Sequence, residues 1–172
     1  PYLSISLDEF ATKILTYVQS NYTNGTYLLY KTAFMHLIKL LGKNRSVYDI
    51  TINDIEAYKN EHIKRFAPPT LNKYIKYISA AFNLGIKWKI LNENPAKGIS
   101  KLKEIQREKS IFEPEELNKL IETIEQSEIK ILVWFGFYTG CRLSELLNLQ
   151  WKDIDLKKYV ITIRNKANFK TK

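Results

Sequence analysis

The sequence predicts a mainly α-helical protein of two units, with a short antiparallel β-hairpin in the second unit. Between residues 7 and 87, apolar side chains recur three and four positions apart, which is the spacing of amphipathic helices. After residue 150 the apolar side chains alternate instead, as they do in strands. A charged stretch that is poor in apolar residues separates the two patterns. We therefore expect a bundle of four or five helices, followed by an α+β unit.

The first unit should contain four helices with clear boundary signals. Their predicted ranges are residues 7–20, 26–41, 52–65 and 70–87. Ser6 is placed to cap the first helix, and Gly42 is placed to end the second. Pro68-Pro69 stops the third helix and opens the fourth, because proline suits a first helical turn.

Residues 100–112 connect this bundle to the second unit. Three helices are predicted there, at residues 114–126, 129–138 and 142–149, the second of them fully buried. Two short strands, 151–154 and 159–164, follow them. A two-stranded sheet is rarely stable alone, so we expect residues beyond 172 to complete this core.

Composition and charge favour a protein that binds nucleic acid, and they argue against a membrane protein or a zinc protein. The chain has 27 basic and 18 acidic residues, and residues 1–105 carry 15 of the basic ones against 8 acidic ones. Such a basic segment favours a nucleic-acid partner, although a low-GC genome would also enrich lysine. No run reaches the about 18 apolar residues of a membrane span, and no signal peptide is evident, so we expect a cytoplasmic protein. Cys141 alone supplies no disulfide or zinc cluster, and we expect His36 and His62 to be packed or surface residues rather than metal ligands.

Arg142 is an isolated charge between two strongly apolar runs. It follows the Thr139-Gly140 turn, at the predicted start of a helix. Free backbone N–H groups and a guanidinium fork together make a site for a phosphate oxyanion. Glu145, three residues later, lies on the same helix face and could orient the guanidinium. A purely structural ion pair between Arg142 and Glu145 is the alternative.

The residues around Arg142 resemble a known family motif. Residues 139–154 read Thr-Gly-Cys-Arg-Leu-Ser-Glu-Leu-Leu-Asn-Leu-Gln-Trp-Lys-Asp-Ile, which is similar to the Thr-Gly-x-Arg-x-x-Glu-Leu-x-x-Leu-x-Trp-x-Asp-Ile box of the tyrosine recombinases, or phage integrases. Residues 69–74, Phe82-Asn83 and Asn94-Pro95 resemble the end of that family's core-binding domain. Residues 114–117 resemble the opening of its catalytic domain.

The resemblance implies a fold and a set of roles. Residues 1–103 would form a helical, SAM-like core-binding domain, 104–112 a linker, and 113–172 the N-terminal part of a truncated catalytic domain. Arg142 would bind the scissile phosphate and stabilise the pentacoordinate transition state, supported by Glu145. A lysine of the hairpin region would protonate the leaving 5′ oxygen. Lys172 is favoured for this role, with Lys166 and Lys170 as alternatives.

The resemblance also implies partners and limits. The whole enzyme would cut and rejoin double-stranded DNA through a 3′-phosphotyrosyl intermediate, as a homotetramer on paired sites, associated with the nucleoid. It would need no metal, nucleotide or other cofactor. The family's His-x-x-Arg pair and nucleophilic tyrosine lie downstream of the box, so we expect this chain alone not to cleave DNA. A non-enzymatic DNA-binding module of the same fold is the alternative, and an RNA-binding or protein-binding helical protein is a further one.

Several side chains of the first unit are candidates for DNA contact. Basic side chains give affinity through phosphates rather than sequence choice. The basic candidates are Lys39, Lys43, Arg45, Lys73, Lys76, Lys87 and Lys89. Asn72 and Tyr77, which the periodicity places outside the apolar stripe of the fourth helix, are candidates for groove or sugar contacts.

Overall fold

The computed structural model of the chain describes residues 5–105 and 110–166, and it divides into two compact units between residues 106 and 107. The first unit contains α1 (Leu7–Asn21), α2 (Asn24–Leu41), a 3-10 turn (Val47–Asp49), α3 (Ile52–His62) and α4 (Pro68–Lys87). The second contains α5 (Pro114–Thr123), α6 (Ser127–Thr139), α7 (Leu143–Leu147), a 3-10 turn (Trp151–Asp153), β1 (Ile154–Asp155) and β2 (Val160–Ile161). The predicted fold class, mainly helical with one antiparallel hairpin, is confirmed.

Ser6 and Gly42, which were predicted to cap helices of the first unit, occupy these cap positions in the structure. Ser6 accepts the backbone N–H of Glu9 at 3.2 Å, and the Glu9 carboxylate accepts the Ser6 N–H at 2.9 Å. This reciprocal pair satisfies two donors that the first turn of α1 would otherwise leave free. Gly42 ends α2 with a φ of 88°, a left-handed conformation that favours glycine.

Aromatic side chains from three helices form the centre of the first unit. The Phe10 ring of α1 stacks on Phe82 of α4 at 5.6 Å and meets Phe34 of α2 edge-on at 6.2 Å. All three side chains are almost fully buried. Gly85 allows this approach, because a Cβ at that position would lie 2.9 Å from both Phe10 and Leu91. Burying a phenylalanine of this kind contributes roughly 1.5–3 kcal/mol.

The chain before α1 pairs with the loop after α2. The N–H of Leu7 donates to the carbonyl of Arg45 at 2.8 Å, and the N–H of Asp8 donates to that of Lys43 at 3.2 Å. The N–H of Val47 donates to the carbonyl of Ile5 at 3.0 Å. The loop that carries Lys43 and Arg45 is therefore fixed to the start of α1.

Asn72 is buried in the first unit, although the periodicity places it outside the apolar stripe of α4. It is 8% exposed, and its amide faces the segment that leaves the unit. The amide nitrogen donates to the carbonyl of Leu102 at 2.9 Å and to the Glu104 carboxylate at 2.8 Å. The amide oxygen accepts the N–H of Leu102 at 2.8 Å. Residues 100–104 cover this face of α4, and we call them the strap.

The predicted full burial of the helix before Arg142 is also wrong for the part of the chain that the structure describes. No described side chain of α6 is buried, and Ile131 and Trp134 are 65% and 51% exposed. α6 packs against α5 and α7, which have ten and five residues. Helices of that length cover one side of an apolar helix, whereas full burial needs neighbours all round.

The hairpin is shorter than predicted. β1 and β2 pair antiparallel, with Ile154 opposite Ile161 and Asp155 opposite Val160. Trp151–Asp153 is a 3-10 turn and not a strand, because the Asp153 carboxylate accepts the backbone N–H of Gln150 at 3.0 Å and holds the chain in a turn. In the described ranges, no helix is both long and apolar enough to cross a membrane.

Candidate functional site

The chain turns sharply between α6 and α7. Gly140 ends α6 with a φ of 66°, in the left-handed region where glycine carries no Cβ penalty. The Thr139 hydroxyl donates to the carbonyl of Phe135 at 2.6 Å, and it accepts the backbone N–H of Cys141 at 3.3 Å. These hydrogen bonds fix the turn, which places residue 142 at the start of the next helix.

Arg142 and Glu145 form a two-point contact across the first turn of α7. The backbone N–H of Arg142 donates to Oε2 of Glu145 at 2.8 Å, and Nη1 of its guanidinium donates to Oε1 at 2.7 Å. One carboxylate thus fixes both the backbone and the side chain of the arginine. The ion pair that the spacing predicts is formed, and its geometry orients the guanidinium.

The two partners differ strongly in exposure. Glu145 is buried, whereas the Arg142 side chain is 63% exposed. The Arg142 backbone N–H and then its guanidinium lower the pKa of Glu145 below its ordinary value, so this carboxylate stays ionised at neutral pH. Arg142 therefore lies at the surface, with a buried partner beneath it.

The exposed Arg142 side chain, rather than the N-terminal backbone of α7, offers donors that an anion could reach. α7 has five residues, and the Arg142 N–H is already used by Glu145. A helix this short contributes little of the positive N-terminal charge that a longer helix provides. A guanidinium fork remains suited to bind a phosphate oxygen pair from solvent.

Of the three lysines that are candidates for protonating the 5′ oxygen, the structure describes Lys166. Lys166 lies within the described residues, and its Nζ donates to the Asp153 carboxylate at 2.6 Å and to the carbonyl of Asn148. Lys170 and Lys172 lie outside the described residues. Asp153 is 3% exposed, and its hydrogen bond with Lys166 is the largest cause that lowers its pKa.

The basic candidates of the first unit are all exposed. They occupy the end of α2 and the loop after it, the first half of α4, and the end of α4 with the turn after it. They are Lys39, Lys43, Arg45, Lys73, Lys76, Lys87 and Lys89. Arg45 also donates to the carbonyl of Asp49 at 2.9 Å and lies 4.0 Å from the Asp54 carboxylate.

The two uncharged candidates occupy different environments. Tyr77 is half-buried, with its ring 4.7 Å from the buried ring of Tyr30. The amide of Asn72 is occupied by the strap, so Asn72 is not a free donor on the surface of α4.

One basic residue near these candidates was missed. Arg65, which follows α3, lines a cavity of about 130 Å³ together with Lys39, His36 and His62. Its guanidinium carbon lies 5.2 Å from the centre of the Phe66 ring. The basic pair Lys64-Arg65 at the end of the third predicted helix was the signal available in the sequence. Among the described residues, no group of three or more His, Cys, Asp or Glu side chains could hold a metal ion.

Comparison with known sequences shows what the segment around this site is similar to. Residues 110–172 match the phage integrase family. The ICEBs1 integrase of Bacillus subtilis is 26% identical over 137 residues, and the tyrosine recombinase XerC of Bacillus licheniformis is 26% identical over 176. These alignments cover 78% and 94% of this chain, but 36% and 57% of the relatives. The chain therefore spans about a third to a little over half of the length of these curated relatives.

Comparison of structures agrees on the fold. A lambda integrase tetramer bound to a Holliday junction matches 89% of this chain and 46% of its own, with a TM-score of 0.77 at 19% identity. At this identity the likeness concerns the fold, and it extends over both units. The family match contains the whole turn, Arg142 and Glu145, and the relatives align along most of the chain. Residues 110–172, which contain Arg142 and Glu145, are similar to the phage integrase family.

Proposed function

We propose that this chain is the DNA-engaging part of a site-specific tyrosine recombinase. In this proposal residues 1–103 are the core-binding domain, residues 104–112 the linker, and residues 113–172 the start of the catalytic domain. Two findings support duplex DNA as the partner: the lambda integrase tetramer is bound to a Holliday junction, and the XerC relative is a tyrosine recombinase. Assembly as a tetramer on paired sites, and association with the nucleoid, belong to the same proposal.

Arg142 carries the proposal. Its side chain is 63% exposed, while a buried carboxylate holds one of its guanidinium nitrogens and its backbone N–H. A cation held in this way is oriented before a ligand arrives, which is the condition under which charge stabilisation of a transition state is strong. The resemblance supplies the reaction. A tyrosine hydroxyl attacks the scissile phosphorus, the bond to the 5′ oxygen breaks, and that oxygen takes up a proton.

The first unit has a different role in this proposal. Its seven exposed candidate cations would bind phosphates of the duplex other than the reacting one. Contacts of this kind provide affinity that falls with salt, and they carry little sequence information. Binding and chemistry would therefore depend on separate groups, the first on the cations of unit 1 and the second on Arg142.

The test uses the whole protein that carries this chain, with a duplex containing its recombination site. Arg142→Ala should reduce covalent protein–DNA complex by about 10²–10³-fold, the range for losing one preorganised donor. DNA affinity should change by no more than a few-fold. Arg164→Ala, which removes an exposed arginine of the same unit, is the matched control and should cleave normally.

Two outcomes would count against the proposal. Normal cleavage by Arg142→Ala would remove the arginine from the reaction. DNA binding without any covalent complex in the unsubstituted whole protein would favour a non-enzymatic DNA-binding module of the same fold.

A further inference from the structure

Lys166 reaches back from the end of the described chain to the segment between α7 and β1. Its Nζ donates to Oδ2 of Asp153 at 2.6 Å and to the backbone carbonyl of Asn148. The Lys166 side chain is 21% exposed, and that of Asp153 is 2% exposed. Two of the three donors of this ammonium are therefore used inside the unit.

Asp153 is itself held in place from other directions. Its carboxylate accepts the backbone N–H of Gln150 at 3.0 Å, which closes the turn before β1. Its backbone carbonyl accepts the N–H of Thr162 at 2.8 Å, just beyond β2. Asp153 thus joins the turn, the hairpin and Lys166 at one buried point.

Asn148 connects this point to Arg142. It is the C-terminal cap of α7, and Arg142 is the N-terminal cap of the same five-residue helix. The carbonyls at a helix end have no partner within the helix, and Lys166 supplies one for Asn148. A contact at one end of so short a helix also restrains the other end, because less than two turns separate them.

We infer that Lys166 is a positioning residue that holds α7, and with it Arg142, through Asn148 and Asp153. This inference rests on the proposed function. A proton donor to the leaving 5′ oxygen must bring its proton to solvent-facing DNA. Lys166 instead donates to a carboxylate that is nearly inaccessible and to a main-chain carbonyl. Another group therefore protonates the 5′ oxygen, and Lys166 is not the lysine that donates this proton.

The first experiment uses the whole protein that carries this chain and does not require activity. Lys166→Met keeps much of the side-chain volume and removes the charge. Amide exchange measured by NMR should become at least about tenfold faster at Leu146, Asn148 and Leu149, whose N–H groups form the α7 hydrogen bonds. Lys158→Met is the matched control, because Lys158 also pairs with a hairpin aspartate, at 3.9 Å, but is 80% exposed.

The exchange data also separate loosening from unfolding. Leu117 in α5 and Lys130 in α6 should keep their protection in Lys166→Met if the unit still folds. If the variant unfolds the unit, Lys166→Arg, which keeps the charge and the donors, should restore protection of α7. Unchanged exchange in α7 of the folded Lys166→Met variant would overturn the inference.

The second experiment separates positioning from proton donation in the whole protein. In a substrate with sulfur in place of the bridging 5′ oxygen, the leaving group departs readily as a thiolate. Cleavage of this substrate therefore needs no acid. Lys166→Met should be slowed by a similar factor on the oxygen and sulfur substrates, and Lys166→Arg should recover part of the rate. If Lys166→Met cleaved the sulfur substrate at the rate of the unsubstituted protein, Lys166 would be the proton donor, and the inference would be overturned. Failure of the unsubstituted protein to cleave either substrate would instead overturn the proposed function.

Discussion

Asn72 on α4 binds both backbone groups of Leu102. Its amide oxygen accepts the Leu102 N–H at 2.8 Å, and its amide nitrogen donates to the Leu102 carbonyl at 2.9 Å. The Asn72 amide thus makes the same pair of hydrogen bonds that a neighbouring β-strand would make to Leu102, a residue 30 positions later in the chain. The strap is held on the first unit by this pair, and a second contact, from Lys59 to the carbonyl of Ser100, lies at 3.4 Å.

Replacing Asn72 should release the strap. In Asn72→Leu the two backbone groups of Leu102 lose their partners, and we expect unit 1 to lose about 1–3 kcal/mol of stability. Trypsin should cut at Lys101 and Lys103 about tenfold faster than in the unsubstituted chain, because the strap must leave α4 to enter a protease. Mass spectrometry of timed digests measures this rate.

Lys73→Ala is the control for the strap, since it changes the exposed neighbour of Asn72 on α4. It should leave the strap cleavage rate unchanged. Equal digestion of Asn72→Leu and the unsubstituted chain at Lys101 and Lys103 would show that the hydrogen bonds do not hold the strap.

Gly85 should be intolerant of a methyl group. A Cβ there would lie 2.9 Å from Leu91 Cδ1 and from Phe10 Cε2, closer than carbon atoms normally approach. Gly85→Ala should therefore destabilise unit 1 by about 1–3 kcal/mol, as overpacking of a filled core does. Urea unfolding followed by circular dichroism measures the free energy of unfolding.

Gly25→Ala provides the opposite expectation on the same chain. In the first turn of α2, no heavy atom of the described residues lies within 4 Å of its Cβ position, apart from its chain neighbours and the nearby backbone of α2 itself. Restricting the unfolded chain should stabilise the protein by about 0.4–1 kcal/mol. A Gly85→Ala variant as stable as Gly25→Ala would contradict the packing described for Phe10.

Protonation of His36 should weaken the first unit. Burial, followed by the charges of His62, Arg65 and Lys39, lowers the pKa of His36 below its ordinary value near 6.5. The unfolded chain then binds the proton more readily than the folded one. Stability is complete above this ordinary value and falls as the pH drops from about 7 towards the lower, folded pKa.

The variant His36→Phe isolates this effect. The Nδ1 of His36 is buried and has no hydrogen-bond partner among the described residues. The ring lies 5.1 Å from that of Phe66, so a phenyl ring suits the site. The free energy of unfolding, measured between about pH 7 and about pH 5, should fall less steeply in the variant. Parallel curves for the two proteins would exclude His36 as the cause.

DNA binding by this chain should depend on salt through the candidate cations. The logarithm of the association constant should fall linearly with that of the salt concentration, and each lost phosphate contact should reduce the slope by about 0.9. Fluorescence anisotropy with a labelled duplex compares Lys76→Ala on α4 with Lys13→Ala, an exposed lysine of α1 outside the candidate set. A slope change for Lys13 but not for Lys76 would show that the proposed surface is the wrong one.

Local signals were sufficient for most of the fold. The helix of residues 7–20 was predicted within one residue, because Ser6 and the apolar spacing are properties of neighbouring residues. The fourth helix begins two residues earlier than predicted, since Pro68 itself occupies its first turn. The predicted strand at residue 151 was wrong, because its alternation is overridden by a hydrogen bond from the Gln150 backbone to the Asp153 carboxylate.

Contacts between distant residues could not be predicted in the same way. Periodicity gives the angle of Asn72 around its helix but not the strap that arrives 30 residues later and buries it. The Arg142–Glu145 pair was accessible to sequence because it lies within one helical turn. The Lys166–Asp153 contact joins residues 13 apart across a hairpin, and only the folded chain brings them together.

The pairing of the chain before α1 with the loop after α2 has a consequence for binding. Lys43 and Arg45 project from a backbone whose carbonyls already accept the N–H groups of Asp8 and Leu7. Fixing a residue of a free loop costs about 1–2 kcal/mol of conformational entropy. For this loop that cost is met when the protein folds, so a phosphate bound by these two cations would gain their attraction without having to order the loop that carries them.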